Sequence, residues 1–415
     1  MAPSNPERSS YASLGTGFSL VLILFFTSRL MMLMAFPPEN LIFYGDYQHY
    51  FNLADMTRRG FYPYLHYWYE FPPIFPYLNI AVYTLAGQQL KNYILFLAFV
   101  LLLVECGNLY LLYKLAFSLY GRKPALTIAW IYTTLFIPIF FWLGNFDALT
   151  TFFILLALYA LISSKSKLLA LALGLGTMVK YLPIILLATI WRARGFKSAC
   201  LYGAATLLTS LIIFSPFLLR SPAFTLASLR AQGSKSSYET IWALVDGNTT
   251  TGNFGPLADH FDTAKAGIPL NNPARIPTWL TLILFGALGL FILTRPRSSA
   301  SPDLDSIRFT TLTFTIFFLW SPGWSPQWQT FLTPLLLLSF PASRAVLFII
   351  ALGFINFLEW PVILSRGLNS LLPITITART LLFVLLAVEL YRLLTQPVPQ
   401  PQPKPVSIPT PANRD

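Results

Sequence analysis

Asp46 is the residue whose type and position best suit chemistry. It follows a glycine shortly after the first apolar run, in YGDYQHYFNLADMTRRGFYPYLHYWYEFPPIFPYL. A carboxylate at the mouth of a helix bundle is partly desolvated, which suits a general base. His49 lies three residues on, so on a helical turn the two are neighbours and can share a hydrogen bond or a metal ion. Two such ligands are too few for a metal shell and no further His/Asp/Glu cluster completes it, so a metal-free reading is favoured, with no other cofactor. Glu70, just before Phe71-Pro72-Pro73, either orients substrate hydroxyls or is a solvated rim acid. The tyrosines and tryptophans around these acids suit anchors at headgroup level.

Lys180 interrupts an apolar stretch. An ionisable side chain at membrane depth costs about 3 kcal/mol unless paired or hydrated. It either neutralises a lipid phosphate or serves structure, by snorkelling or by pairing with a buried carboxylate such as Glu105. Asp147, in GNFDALTTF, opens a span; Asn145 is the expected cap there, leaving Asp147 to complement the helix dipole, contact a sugar or steady a nearby cation. Arg29, Arg230 and Arg379 are further candidates to bind phosphate. Glu239, in SYETIWALVDG, is a second outer acid, or else a capping or surface residue. In WSPGWSPQW, two Ser-Pro steps impose a turned or extended backbone, so Trp324 and Gln327 are candidate substrate contacts, the indoles stacking on sugars or anchoring at headgroups.

The elements that position these residues must form in lipid. The chain has 415 residues, 55% hydrophobic and 11% charged, against about 25% charged in soluble domains, which excludes a soluble enzyme. Runs of bilayer-spanning length are expected near 14–36, 92–118, 123–143, 147–163, 197–219, 276–294, 307–321, 326–342, 344–364 and 374–394. With the re-entrant segments this is an all-α polytopic bundle of about 10–13 spans. The net charge of +12 sits in short loops, the positive-inside pattern, and no basic stripe suits nucleic acid. Cys106 and Cys200 read as unpaired packing residues.

With Arg122–Lys123, Lys165–Lys167, Arg192–Lys197 and Arg295–Arg297 cytoplasmic, the candidate residues fall on the outer side, provided Pro76–Leu90 is interfacial or re-entrant. Leu168–Trp191 has basic residues at both ends and is broken by Gly174, Gly176, Lys180 and Pro183, so it reads as a hairpin with Lys180 at its tip. The expected organisation is one catalytic domain over 1–394, with outer segments 37–91 and 221–275, and a disordered, cytoplasmic Pro-rich tail from 395 to 415.

The order of short motifs resembles the GT-C superfamily of polyprenyl-phosphate-sugar-dependent glycosyltransferases: an early Asp in the first outer loop, then Gly60 to Tyr64 and Glu70 to Pro73. Gly144 to Asp147 before LLALYAL, Lys180-x-x-Pro183, Tyr238-Glu239-Thr240 and Ser325 to Trp328 resemble the bacterial polyprenyl-phosphate-mannose-dependent α-mannosyltransferases. The resemblance implies an inverting transfer at the outer face of the cell membrane, from a polyprenyl-phosphate sugar, mannose favoured, to a glycolipid, glycan or protein acceptor. It implies Asp46 as base and Lys180, with Arg29, Arg230 or Arg379, on the phosphate. Other GT-C families carry paired acids in this loop; here Tyr47 and Gln48 follow Asp46, which favours the metal-free branch and leaves Asp55 and Glu70 as lesser helpers. Two rivals stand beside this reading. A secondary transporter or lipid-linked glycan flippase would use Lys180 and Glu105 at the midplane, although the missing internal repeat counts against it. A glycan polymerase or ligase would rely on Glu239 and Arg230.

Overall fold

A computed structural model describes residues 16–42, 45–252, 255–297 and 301–395; the expected tail, apart from Thr395, lies outside them. The fold is all-α and polytopic. In chain order the helices are α1 (Thr16–Ala35), α2 (Pro38–Leu41), α3 (Tyr47–Asp55), α4 (Ile74–Leu85), α5 (Leu90–Tyr120), α6 (Arg122–Thr134), α7 (Phe136–Phe140), α8 (Asp147–Ile162) and α9 (Ser166–Val179). There follow α10 (Leu186–Arg194), α11 (Phe196–Arg220), α12 (Pro222–Ser234), α13 (Ile241–Asp246), α14 (Thr278–Leu293), α15 (Pro302–Trp320), α16 (Gln329–Ser339), α17 (Ala342–Phe357) and α18 (Leu372–Thr395).

Among the described residues, five segments are long and apolar enough to cross a bilayer: α1, α5, α11, Ala342–Arg366 and Asn369–Thr395. The other expected spans are also helical, but shorter or broken. The one expected at 123–143 divides at Leu135, whose extended backbone precedes α7 and Pro138. Proline lacks the N–H a helix interior needs, so it sits in the first turn of a new helix. Leucines and isoleucines stay exposed along α11, α14, α17 and α18, as on helices whose outer surface meets acyl chains. The packed interior is built around α5, which lies against α1, α6 and α8, while α15 packs on α16 and α18.

Two irregular regions carry the candidate residues. α9 ends at Val179, Lys180 is extended, and a 3-10 turn at Leu182–Ile185 leads into α10. Arg194 at the end of α10 donates from Nη2 to the Leu161 carbonyl at 2.7 Å, so the chain returns to the turn from which α9 began. The two half-helices therefore form a hairpin with Lys180 at its far end. The 12 residues of α4 span about 18 Å at 1.5 Å per residue, short of a hydrocarbon core of about 30 Å.

The segment 221–275 folds over the segment 37–91. The Trp68 indole donates to the Asp259 and Asp262 carbonyls at 3.2 and 3.1 Å, and His260 stacks on it at 3.8 Å. The Tyr69 amide donates to Ser228 Oγ at 2.9 Å. These contacts bring α12 and residues 257–267 against the aromatic loop that carries Glu70.

Candidate active site

Backbone packing at one glycine positions Asp46. Gly45 has φ +83°, and a Cβ there would stand 2.6 Å from the Leu143 carbonyl oxygen. Only glycine permits so close an approach in the left-handed region. The Asp46 amide then donates to the Gly144 carbonyl at 3.0 Å, fixing the start of α3 against the segment that opens α8. The Asp46 side chain is open to solvent yet deep among protein atoms, and Tyr50 Oη donates to its Oδ2 at 3.2 Å. Burial raises the Asp46 carboxyl above its ordinary value, opposed by His49 and Tyr50 and reinforced by Asp147.

His49 and Glu70 form the next pair. His49 Nε2 lies 3.7 Å from Glu70 Oε1. Burial by itself would lower the imidazole, but the Glu70 carboxylate outweighs it and holds His49 above its usual value. For Glu70, burial acts upward, and His49, His260 and the residue's own backbone together outweigh it, leaving the carboxyl below its usual range. Glu70 Oε2 is buried without a hydrogen-bond partner among the described residues. A buried acceptor left unmatched costs free energy, so this atom is poised to accept from a bound hydroxyl.

At the hairpin tip, Lys180 Nζ donates to Asp147 Oδ1 at 2.6 Å. Four rings face the ammonium: Phe71 at 5.9 Å, Phe146 at 5.3 Å, Trp328 at 5.1 Å and Phe331 at 5.4 Å. Three of them come from motifs far apart in sequence, Glu70–Pro73, Gly144–Asp147 and Ser325–Trp328. Ring faces attract a cation, and their apolar walls strengthen its field toward an anion. The alternative in which Lys180 pairs with Glu105 is not met, since its partner is Asp147. The helix break carries the ammonium to the start of α8, whereas Glu105, on α5, accepts from Asn108 at 2.9 Å and Tyr132 at 2.9 Å.

Lys235, which sequence reasoning missed, completes the cluster. It follows α12, lies over the Tyr238 ring at 4.7 Å, and feels Glu70, Lys180, Asp46 and Glu239. Burial brings its pKa down to about 8, with Glu70 pulling the other way. Tyr238 is held against the Trp-rich turn: its amide donates to the Pro322 carbonyl at 3.0 Å, and its carbonyl accepts from Trp324 at 3.2 Å. A Cβ at Gly323 would fall 2.2 Å from the Tyr238 ring, so only glycine lets the two segments meet.

The remaining candidates divide. Glu239 is buried at φ +51°, neither a cap nor a surface group, since Thr240 caps α13 instead. Burial drives its carboxyl well above the usual range, and neighbouring Glu359 adds to the effect. Arg379 donates to the Glu239 carbonyl and pairs with Glu359, so its charge is already balanced. Trp324 is packed in the interior with its indole donating to Asn356 at 3.2 Å; Trp328, rather than Trp324, faces Lys180. Gln327 is half-buried in the turn that carries Trp328. Arg230 is exposed and lies across Gly267. Arg29 stands apart within the bundle, over Phe25 and donating to the Pro138 carbonyl at 3.2 Å. Asn145 does not cap α8; its amide turns back to the Leu143 carbonyl at 3.1 Å, and Asp147 occupies the helix's first turn.

Among the described residues, no three His, Cys, Asp or Glu side chains are grouped to hold a metal ion. The fold and the cluster thus define a polytopic membrane protein with acids, cations and aromatic rings gathered at one end of a broken hairpin. The chain belongs to glycosyltransferase family 87, whose family model matches residues 71–322. The matched stretch takes in Asp147, Lys180, Lys235 and Glu239, while Asp46, His49 and Glu70 precede it. No curated protein matches the chain. A solved structure similar to it is that of the Archaeoglobus fulgidus oligosaccharyltransferase in the apo form, at 13% identity and a TM-score of 0.45. The match covers 94% of this chain and 57% of that one, so the chain spans a little over half that protein's length.

Proposed function

We propose that the protein transfers a sugar, with mannose the favoured donor sugar, from a polyprenyl phosphate to a glycolipid or glycan at the outer face of the membrane, with inversion at C1. The observation that carries this reading is the convergence on Lys180. Asp147 and rings from three separated motifs surround its ammonium, and Asp46 is joined by backbone to the same Gly144–Asp147 segment. In the reaction the acceptor hydroxyl oxygen bonds to C1 of the sugar while the C1–O bond to phosphate breaks. The bonding pair leaves with polyprenyl phosphate. Asp46 takes the hydroxyl proton, and Lys180 offsets the charge gathering on the leaving phosphate. The raised Asp46 pKa makes it a stronger base than an ordinary carboxylate. Glu70, oriented by His49, accepts from a sugar or acceptor hydroxyl.

A transport site built from Glu105 and Lys180 has no comparable support, because each is satisfied by different partners. The test is transfer of radiolabelled mannose from synthetic polyprenyl-phosphate mannose to a lipid extract by purified protein, with EDTA present and absent. Transfer by the wild type, lost in Asp46→Asn, supports the reading. Transfer indifferent to Asp46→Asn overturns the assignment of the base, and failure with polyprenyl-phosphate mannose alongside success with another lipid-linked sugar overturns the choice of mannose.

A further inference from the structure

Trp328 and Phe331, two of the rings that face Lys180, stand either side of Gln329 in the chain. Gln329 opens α16, is fully buried, and has both ends of its amide matched by α17: Nε2 donates to the Ile349 carbonyl at 2.8 Å, and Oε1 accepts from Asn356 Nδ2 at 2.7 Å. Asn356, equally buried, accepts at its own Oδ1 from the Trp324 indole N–H at 3.2 Å. One amide of α17 therefore ties together the residues four before and one after Trp328. Trp324 in turn packs edge to face with Trp328, ring centroids 6.0 Å apart, and its backbone N–H donates to the Tyr238 carbonyl at 3.2 Å. Unlike Glu70, none of these three side chains keeps a buried polar atom without a partner among the described residues. Such a closed joint has no capacity for a ligand. What it does fix is one arrangement of the helices, because at bilayer depth an unmatched amide is costly and water is not at hand. All of it lies beyond residue 322, where the family match ends.

We propose that Asn356 is a positioning residue for sugar transfer: through Trp324 and Gln329 it holds the Trp328 and Phe331 rings against the Lys180 ammonium, and it touches no substrate itself. The proposal rests on the transferase reading above, in which Lys180 offsets the charge gathering on the leaving phosphate. Leucine at 356 would strand the indole N–H and the Gln329 side-chain oxygen in a place that water does not reach, so both side chains must turn to find other partners. The turn and the first residues of α16 then shift, and the two rings move away from the ammonium. A ring acts on a cation only within about 6 Å of its centroid. Trp328 and Phe331 stand at 5.1 and 5.4 Å, so a small shift is enough to lose their effect. The cation would then sit in wetter surroundings, with a weaker field toward the phosphate. Because that field matters most as the C1–O bond breaks, the cost falls on kcat rather than on substrate binding.

The experiment measures transfer from polyprenyl-phosphate mannose, or from another lipid-linked sugar if mannose is refused, by the full chain in lipid nanodiscs, with rates taken per folded molecule. Asn356→Leu is expected to lower kcat by about tenfold, the order of one desolvated cation–ring contact, and to move KM for the donor by less than about twofold. In a Lys180→Ala background the same substitution should cause no further loss, because the group it acts through is gone. An unchanged kcat, a loss confined to KM, or an equal loss in both backgrounds would overturn the positioning role. Normal transfer by Lys180→Ala would overturn the use of Lys180 in the transferase reading and this proposal with it, whereas a Lys180→Ala loss beside an unaffected Asn356→Leu would overturn the proposal alone. A wild type that transfers from no lipid-linked sugar would overturn both. Should Asn356→Leu fail to fold, Trp324→Phe, which keeps an aromatic ring and removes the indole N–H, is read by the same criteria.

Discussion

Two buried ion pairs in this protein are built differently. Arg192 meets Asp305 through two parallel contacts, Nε to Oδ2 at 2.7 Å and Nη2 to Oδ1 at 2.9 Å. Its Nη1 also donates to the carbonyls of Ile292, Leu293 and Arg295 at 3.3, 3.4 and 3.1 Å. Every strong donor is used, and the pair ties α10 to the start of α15 and the end of α14. Lys180 meets Asp147 through one oxygen and otherwise faces rings. Around it stand Lys235, solvent-open Asp46 and a carboxylate oxygen of Glu70 with no hydrogen-bond partner among the described residues. The closed pair has no capacity left for a ligand, whereas the open one retains it. An ionisable residue deep in a membrane protein is thus not a site by depth alone; unfinished hydrogen bonding near solvent distinguishes it.

The largest effect should fall on the open cluster. Asp46→Asn keeps the shape and removes the base, and sugar transfer should drop by about a thousandfold with the thermal unfolding midpoint unchanged. A drop of less than about tenfold would assign the proton to another group. Lys180→Ala should lower transfer by about a hundredfold. Arg192→Ala should instead cost about 3–5 kcal/mol of stability by stranding Asp305, read by thermal unfolding in detergent, and leave the rate per folded molecule nearly intact. If the two substitutions exchanged phenotypes, the contrast between closed and open pairs would be wrong.

The pH profile sharpens the same contrast. Asp46 must be ionised to accept a proton, so kcat/KM should fall as pH drops through its raised pKa, placing the acid limb above the ordinary carboxylate range. Lys235 adds its positive charge to the cluster around Lys180 only while protonated, so a basic limb should appear as pH rises through about 8. The groups facing Lys235 are Glu70, Lys180, Asp46 and Glu239. Lys235→Arg should move the basic limb upward and spare the acid limb, because a guanidinium keeps its proton to above about 12. The smallest effect should come from Glu105→Gln, which leaves most of a satisfied network in place; transfer should change by less than about twofold, a stability-level perturbation away from the chemistry. A hundredfold loss there would revive the transport reading.

Much of the fold is legible in the sequence because lipid imposes a simple rule: backbone polar groups must be satisfied within the helix. The break at Lys180 precedes Pro183, whereas Gly174 and Gly176 lie within α9 with Thr209 and Phe153 packed against them, and helices occupy each expected apolar run. Asp46 stands out by type and by its glycine neighbour. Lys235 does not, since in GSKSSYET it reads as one more polar loop residue, and only folding of the segment 221–275 over the segment 37–91 buries it. The partner of Lys180 was hidden for a related reason. Glu105 and Asp147 are both acids near spans, and nothing along the chain ranks one above the other.

Composition, apolar run length and the placement of Gly, Pro and charge determined a polytopic helical protein with a broken hairpin and an acid-bearing aromatic loop. These are local properties, set by each segment's own transfer free energy and backbone freedom. Which acid meets which cation was decided only by the tertiary structure. Asp46 is brought beside Gly144, Asp147 meets Lys180, Trp328 and Phe71 face the same ammonium, and Lys235 closes the group. Coulomb and hydrogen-bond energies depend on distances between side chains up to almost three hundred residues apart in the chain, and only the packing of one helix against another sets those distances.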